Sequence, residues 1–596
     1  MTTALSIARR ALDNGDLDLA ETSLRHWLRQ SPADADALER LGLVQARRGD
    51  LEAALPLLHA ALEVNPDHRQ ALINLGAMLA NLGRAAEARP WLERAVTLHP
   101  GQGDGWGNLA IVLHQLQQHP AALAALQRAL ALQSGDRRLQ RLQALLLVEL
   151  ERPSEAIALL AQAASGDPDL WQELVDLGIR LHDRGRTDLA ISALQQGLVG
   201  RPDDARVWLN HGALLSLQGQ LQEAISSFSR AVALDPQRPD AHLFLGIARL
   251  LTSHQKLGWD DFEWRERVDA SMAPLVTPPG RRWCLEEQGE PVEHLLLIGE
   301  QGLGDVLQFV RYAPSFRTHA RKISLCVQEP LAGLIAGSGL ADAVVTAQQA
   351  ADHQGAWLPL LSSCHALAQP PTALETPTPY LSVGSERLEQ WRRRLASGTP
   401  APRAQAPEAQ APEAQAPKAQ APKAQELLVG LHWQGNPTAE LRDSARGRSL
   451  PLALLAPLAG IPGLRLLSLQ KGYGAEQLAS CSFRSAFHPG QAGVDEAWDF
   501  RDTAAIASCC DLIVSADSGL VHLAGALELP VWLLLQRVPD WRWGLDGDSS
   551  PWYPSMRLFR QRRSGDWPEL IERLVDRLQG EAPRLLAARN RRTLEP

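Results

Sequence analysis

Three clusters in this 596-residue chain combine residue types and spacing suited to chemistry on a phosphorylated substrate. The first is GEQGLGD, residues 299–305, set between the apolar run LLLI and the helix-like VLQFVRY. Glycines at a strand-to-helix turn let backbone approach a ligand, and the helix N-terminus behind them favours an anion. Taken alone, Asp305 reads as a helix cap. Gly302 and Gly304 meet only part of the dinucleotide fingerprint, because Leu307 stands at the third glycine position. That argues against NAD, although Glu329 lies near the distance of a ribose-binding acid. The second cluster is SADSGLVHLAGA, residues 515–526. Asp517, Ser518 and Gly519 occupy the turn, and His522 lies four residues past Ser518 on the same helical face. Free backbone N–H groups, a hydroxyl and an imidazole facing one point make a seat for a diphosphate. His522 by itself reads equally as a half-buried residue of a capped helix. The third cluster is GLHWQGNP, residues 430–437, with Gly435 and Asn436 in its turn and a loop through Arg442, Arg446 and Arg448. Glycine followed by cations again suits phosphate, whereas Arg442 individually reads as part of a solvated loop.

Two further features lie close by. SLQKG places Lys471 just past a strand, where a base or ribose could sit; surface charge is the competing reading. The segment carrying Trp541, Trp543, Trp552 and Tyr553 could stack on sugars or bases, but packing suits most of these rings better. Asp546 and Asp548 form a DxD pattern inside a glycine-rich turn, and a turn is how it is read.

The elements that must hold these clusters alternate in type. From His294, short apolar runs interleave with helical stretches, the texture of βαβ units on a parallel sheet. HLLLIGE, KISLCVQ and AVVTA read as strands, and so do ELLVGLHWQG, RLLSLQ, LIVSAD and VWLLLQ. Five pentapeptides of the APxAQ kind interrupt the pattern at 401–425; recurrent proline without large apolar residues cannot build a core. The expectation is two α/β halves, 294–398 and 426–580, joined by a 399–425 linker and followed by a basic tail at 581–596. A ligand would sit between the halves at the carboxyl ends of the strands. Cleft closure on the flexible tether would bring the two together.

The first 250 residues have a different order. Alanine recurs every 34 residues at Ala20, Ala54, Ala88, Ala122, Ala156, Ala190 and Ala224. Proline closes the unit at Pro32, Pro66, Pro100, Pro168, Pro202 and Pro236, with Ser134 as the exception; glycine marks Gly42, Gly76, Gly178, Gly212 and Gly246. A small residue serves where helices approach closely, and a proline where the second helix must stop. The period and positions resemble the tetratricopeptide repeat, which implies an α-helical solenoid over 1–270 ending in a capping helix at 257–268. A 271–293 connector follows. Stacked repeats leave a concave surface suited to a protein or extended peptide.

Composition limits the rest. Net charge is −9, which gives no global case for nucleic acid. The start is already in repeat register, without an apolar core of signal-peptide length, and no membrane span is expected. Six cysteines without a CxxC pair suit reduced thiols in a cytoplasmic protein rather than zinc.

Together, GLGD, DSGxxH and the loop ending in RSLP resemble the heptosyltransferases, glycosyltransferase family 9. The whole arrangement looks like the glycosyltransferases that join a tetratricopeptide array to a GT-B region of two Rossmann-like halves. The resemblance implies sugar transfer without a metal or other cofactor, the nucleotide-sugar being substrate. It gives Asp305 the role of catalytic base. Donor binding falls on Gly302, Gly304, Gly435, Asn436, Arg448, Lys471, Asp517, Ser518, Gly519 and His522. The family usually has lysine where Arg448 stands. A protein or peptide in the repeat groove is the expected acceptor, and a non-catalytic adaptor with a degenerate transferase region is the alternative.

Overall fold

The computed structural model describes residues 4–165, 169–253, 255–284, 290–370, 378–397, 426–440 and 447–592. The linker 399–425 and the loop residues Arg442 and Arg446 lie outside them. Two compact units divide the chain, Met1–Val207 and Trp208–Pro596.

The first unit is a solenoid of helix pairs in the 34-residue register, such as Ala35–Arg47 with Leu51–Val64 and Arg69–Asn81 with Ala85–Leu98. Ala20, Ala54, Ala88, Ala122, Ala156 and Ala190 have no exposed surface. The glycine slot receives the leucine four residues past each alanine. A Cβ on Gly42 would stand 3.2 Å from Leu58 Cγ, and one on Gly178 3.0 Å from Leu194 Cγ. A further regular position emerges between the paired helices, where the chain turns in the left-handed region at Gly15, Gly49, Gly83 and Gly185. Gln117 and Glu151 adopt the same conformation in the two units that lack glycine there, which L residues do at some cost.

The second unit begins with repeat helices, including Leu221–Leu234 and Pro239–Leu251, and continues into a cap. The cap is a helix, Gln255–Phe262, followed by a 3-10 turn, Glu263–Arg267. Two parallel sheets follow. The first contains β1 (Val292–Ile298), β2 (Ala320–Cys326), β3 (Ala343–Val345) and β4 (Ala356–Pro359) in the order β3-β2-β1-β4. The second contains β5 (Leu427–His432), β6 (Leu464–Ser468), β7 (Leu512–Ala516), β8 (Val531–Leu535) and β9 (Met556–Arg560) in the order β6-β5-β7-β8-β9. β1, β5 and β7 each have neighbours on both sides, so their near-continuous apolar runs belong to buried parallel strands. The solenoid followed by two Rossmann-like parallel sheets is the fold class expected from sequence.

Several local differences have physical causes. LPLALLAPLAG forms a 3-10 helix, Leu452–Gly460, with Pro457 inside it; VRYAPSF does the same over Val310–Thr318 with Pro314 inside. A proline removes a donor and crowds the preceding turn of an α-helix. The last helix runs Trp567–Arg592, into the stretch set apart by composition as a basic tail.

The halves do not stand apart across an open cleft. One apolar cluster runs through both, with Phe309 of the first half 5.5 Å from Trp552 of the second. Tyr380 Oη donates to the Leu307 carbonyl (2.9 Å), and the buried Arg311 donates to the Trp552 carbonyl (2.6 Å). Trp541, Trp543, Trp552 and Tyr553 are all buried, in keeping with packing.

Candidate active site

β1 ends at Ile298 and the chain turns through Gln301, at φ +58°, into the helix Leu303–Phe309. Gly302 occupies the cap position, and its N–H donates to Asp305 Oδ2 at 2.8 Å. The carboxylate therefore does close the helix start, as its type suggested, from the third helical position. β7 ends at Ala516 and leads through Asp517 and Ser518 into the helix Gly519–Ala526. Ser518 does not cap its own helix; its hydroxyl lies 3.3 Å from His432 Nδ1 at the end of β5.

These two helix starts meet. A Cβ built on Gly304 would stand 2.8 Å from His522 Cδ2 and 3.1 Å from Gly519 Cα, so only glycine fits without displacing backbone. Gly304→Ala is expected to destabilise the protein by about 1–3 kcal/mol, the usual range for overpacking. It should also weaken whatever His522 binds, which melting and ligand titration of the variant would measure. An unchanged melting temperature would mean the contact is loose.

The other candidates fall into two groups. Gly435 follows β5, its N–H donating to Ser449 Oγ at 2.9 Å, and a Cβ there would come within 3.0 Å of the Arg448 guanidinium. Arg448 is 3.7 Å from Glu440, yet its buried Nε has no hydrogen-bond partner among the described residues. Its charge reaches Asp517 and His432. Asn436 is exposed, and its side chain accepts from the Thr438 N–H at 2.9 Å. The Lys471 ammonium donates to the Val494 carbonyl, and burial lowers its pKa. Asn436 and Lys471 share no hydrogen bond with the two helix starts among the described residues.

The imidazoles are neutral at pH 7. Burial, with Arg448 adding to it, brings His432 down to about 4. Burial and then Arg542 hold His522 well below its ordinary value. Its Nδ1 is engaged by Tyr553 Oη at 3.0 Å and its ring stacks on Trp543 at 5.4 Å, leaving Nε2 as the second polar atom. Burial, reinforced by Asp540, pushes the Asp517 carboxyl up to about 6 against the pull of Arg448.

One residue at the centre of the site has no motif to announce it. Arg542, in the turn after β8, forms an ion pair with Asp305 from a position 237 residues away in sequence. It also donates to Gln308 Oε1 (2.6 Å) and Asp540 Oδ1 (2.8 Å). Burial alone would weaken its charge, but Asp540 and Asp305 outweigh that and raise its pKa.

Comparison with known families fits this layout. The tetratricopeptide repeat pattern matches residues 5–58, 47–103 and 175–251, with a second repeat pattern over 79–146. Glycosyltransferase family 9 (heptosyltransferase) matches residues 496–563, which include Asp517, Ser518, Gly519, His522 and Arg542. The chain carries tetratricopeptide repeats and a family 9 region. It is a glycosyltransferase-like protein with repeats.

Among curated proteins it is similar to Protein FlbA of Caulobacter vibrioides, with 24% identity over 386 residues, 61% of this chain and 59% of that protein. The chain thus spans about three fifths of that relative's length. Solved structures similar to it include MamA from Desulfovibrio magneticus RS-1 (22% identity, 27% of this chain and 92% of that one, TM-score 0.26). Another is a tetratricopeptide repeat protein from Parabacteroides merdae (20% identity, 41% and 97%, TM-score 0.29). Among the described residues no helix is long and apolar enough to cross a membrane, and no cluster of three or more His, Cys, Asp or Glu could hold a metal ion.

Proposed function

We propose that the α/β region transfers a sugar from a nucleotide-sugar donor to an acceptor, in the GT-B manner and without a metal. The donor diphosphate lies on the N-terminus of the Gly519–Ala526 helix, between Ser518, His522 and Arg448. Developing charge on the leaving diphosphate is met by helix N–H groups, the Nε2 of a neutral His522 and the Arg448 guanidinium. Asp305 takes the proton of the acceptor hydroxyl. A protein or peptide held by the repeats is the acceptor. The observation that carries this reading is the meeting of the GLGD and DSGxxH turns at Gly304 and Gly519, which puts the carboxylate of one motif beside the anion seat of the other.

A second reading, a non-catalytic adaptor, finds support in the Asp305 carboxylate itself, both of whose oxygens are already engaged. Thermal shift with UDP, ADP and GDP separates the two. Saturation at a hundred times Kd adds about 2.7 kcal/mol of stability, readily seen as a higher melting temperature. The transferase reading expects that shift with one diphosphate. Arg448→Ala should weaken that ligand by roughly 10- to 100-fold, the value of a charge-assisted hydrogen bond. No shift with any of the three favours the adaptor. A shift with NAD alone would support an oxidoreductase instead.

A further inference from the structure

The turn that carries Arg542 is built more rigidly than a loop needs to be. Asp540 caps it, accepting from the Arg542 backbone N–H at 3.1 Å and from its guanidinium at 2.8 Å. The guanidinium also lies over the Trp541 ring, 4.2 Å from its centroid. Trp541 is wedged in turn between Trp259 (5.1 Å) and Phe262 (5.6 Å) of the repeat cap and Trp552 (6.1 Å) of the second half. From this base, three different nitrogens of Arg542 reach three different acceptors: Gln308, Asp540 and Asp305. A planar fork can do this in a fixed geometry, whereas an ammonium on a flexible stem cannot.

At the far end, Asp305 is held by both oxygens, Oδ1 by Arg542 and Oδ2 by the Gly302 N–H. A carboxylate oxygen has two lone pairs, so one on each remains for an acceptor hydroxyl. The side chain keeps 20% of its surface exposed, so the group is aimed but not sealed.

We propose that Arg542 is the positioning residue for Asp305, crossing from the second half to orient the carboxylate, with the repeat cap holding it in place through Trp541. This inference rests on the transferase reading above. It assigns a task to the cap, which on sequence alone is only the end of a stack. The last repeat then belongs to the reaction centre's support, and its removal would loosen the base as well as any acceptor site. Misplacing a reacting group by about 1 Å costs on the order of 100-fold in rate, without touching donor affinity.

The experiment uses the full chain and the nucleotide sugar whose diphosphate stabilises the wild type. Transfer by the wild type is measured first, because silence with every donor overturns the transferase reading and this inference together. With wild-type transfer in hand, Arg542→Ala is expected to lower kcat about 100-fold, leaving the Kd of the nucleoside diphosphate within about threefold. Guanidinium ion added at millimolar concentration should recover part of that rate in Arg542→Ala, and Arg542→Lys should recover less than a tenth of it. If Arg542→Ala does not fold, Gln308→Met removes one of the three anchors and should lower kcat about three- to tenfold at unchanged melting temperature. Two results overturn the inference while leaving the transferase reading intact. One is a diphosphate Kd that weakens in step with kcat, which would make Arg542 a donor ligand. The other is a kcat indifferent to both substitutions.

Discussion

Asp305→Asn is expected to lower the rate of sugar transfer about a thousandfold, in the middle of the range for removing a positioned general base. The change preserves the size of the side chain and its place at the start of the Leu303–Phe309 helix. Arg542 keeps Asp540 and Gln308 as partners, so its buried charge is not stranded. The donor seat lies on the opposite helix and on Arg448, so the nucleoside diphosphate should bind within about twofold of wild type. An equal fall in kcat and kcat/KM would mark an interaction made only in the transition state. Retention of a tenth or more of wild-type transfer would remove Asp305 from the mechanism. Loss of diphosphate affinity to the same degree would make it part of the donor site.

The solenoid was legible because a repeat prints its packing at a fixed interval. Ala20 and its successors mark where helices touch, and Gly42 and Gly178 mark where a leucine nests. The turn position at Gly15 and its successors shares the period but escaped notice, since Gln117 and Glu151 interrupt the glycine signal. The β strands with buried apolar runs were legible for the same reason. β4 and β9 were not: AWLP is four residues ending in proline, and MRLFR alternates with arginine. In the candidate site, GLGD and DSGxxH announce themselves by glycines at strand ends. Arg542 does not, because WRW looks like packing and its partner lies 237 residues upstream. Local pattern carries no record of such a pairing. The same limit explains the cleft. The APxAQ tract suggests freedom between the halves, whereas the shared core around Phe309 and Trp552 arises only when both are folded.

Arg265→Met is expected to cost about 3–5 kcal/mol at neutral pH, the usual loss when one partner of a buried ion pair is removed. Arg265 and Glu300 are both without exposed surface. The guanidinium donates to both oxygens of Glu300 (3.1 and 2.7 Å), to Glu263 (2.8 Å) and to Ser362 (2.9 Å). Glu300 also accepts the Leu361 N–H at 2.9 Å and stands two residues before Gly302. Methionine fills similar volume, so the loss measures charge more than cavity. Glu300 is already pushed up by burial, with Arg265 working against that. Without Arg265 its folded-state pKa must rise further above the unfolded value. The folded state then binds the proton more tightly than the unfolded state, so acidification favours folding and the deficit of the variant should shrink between pH 8 and 5. Adding Glu300→Gln should recover at least half of the loss, because a neutral amide does not leave a bare charge. Glu263 is partly exposed and keeps Arg282 at 3.1 Å, which limits its own penalty. Urea unfolding of the single and double variants at both pH values tests all three expectations. A single-variant loss under about 1 kcal/mol, or a deficit that grows on acidification, would mean that this bridge between cap and catalytic turn bears little of the folding free energy.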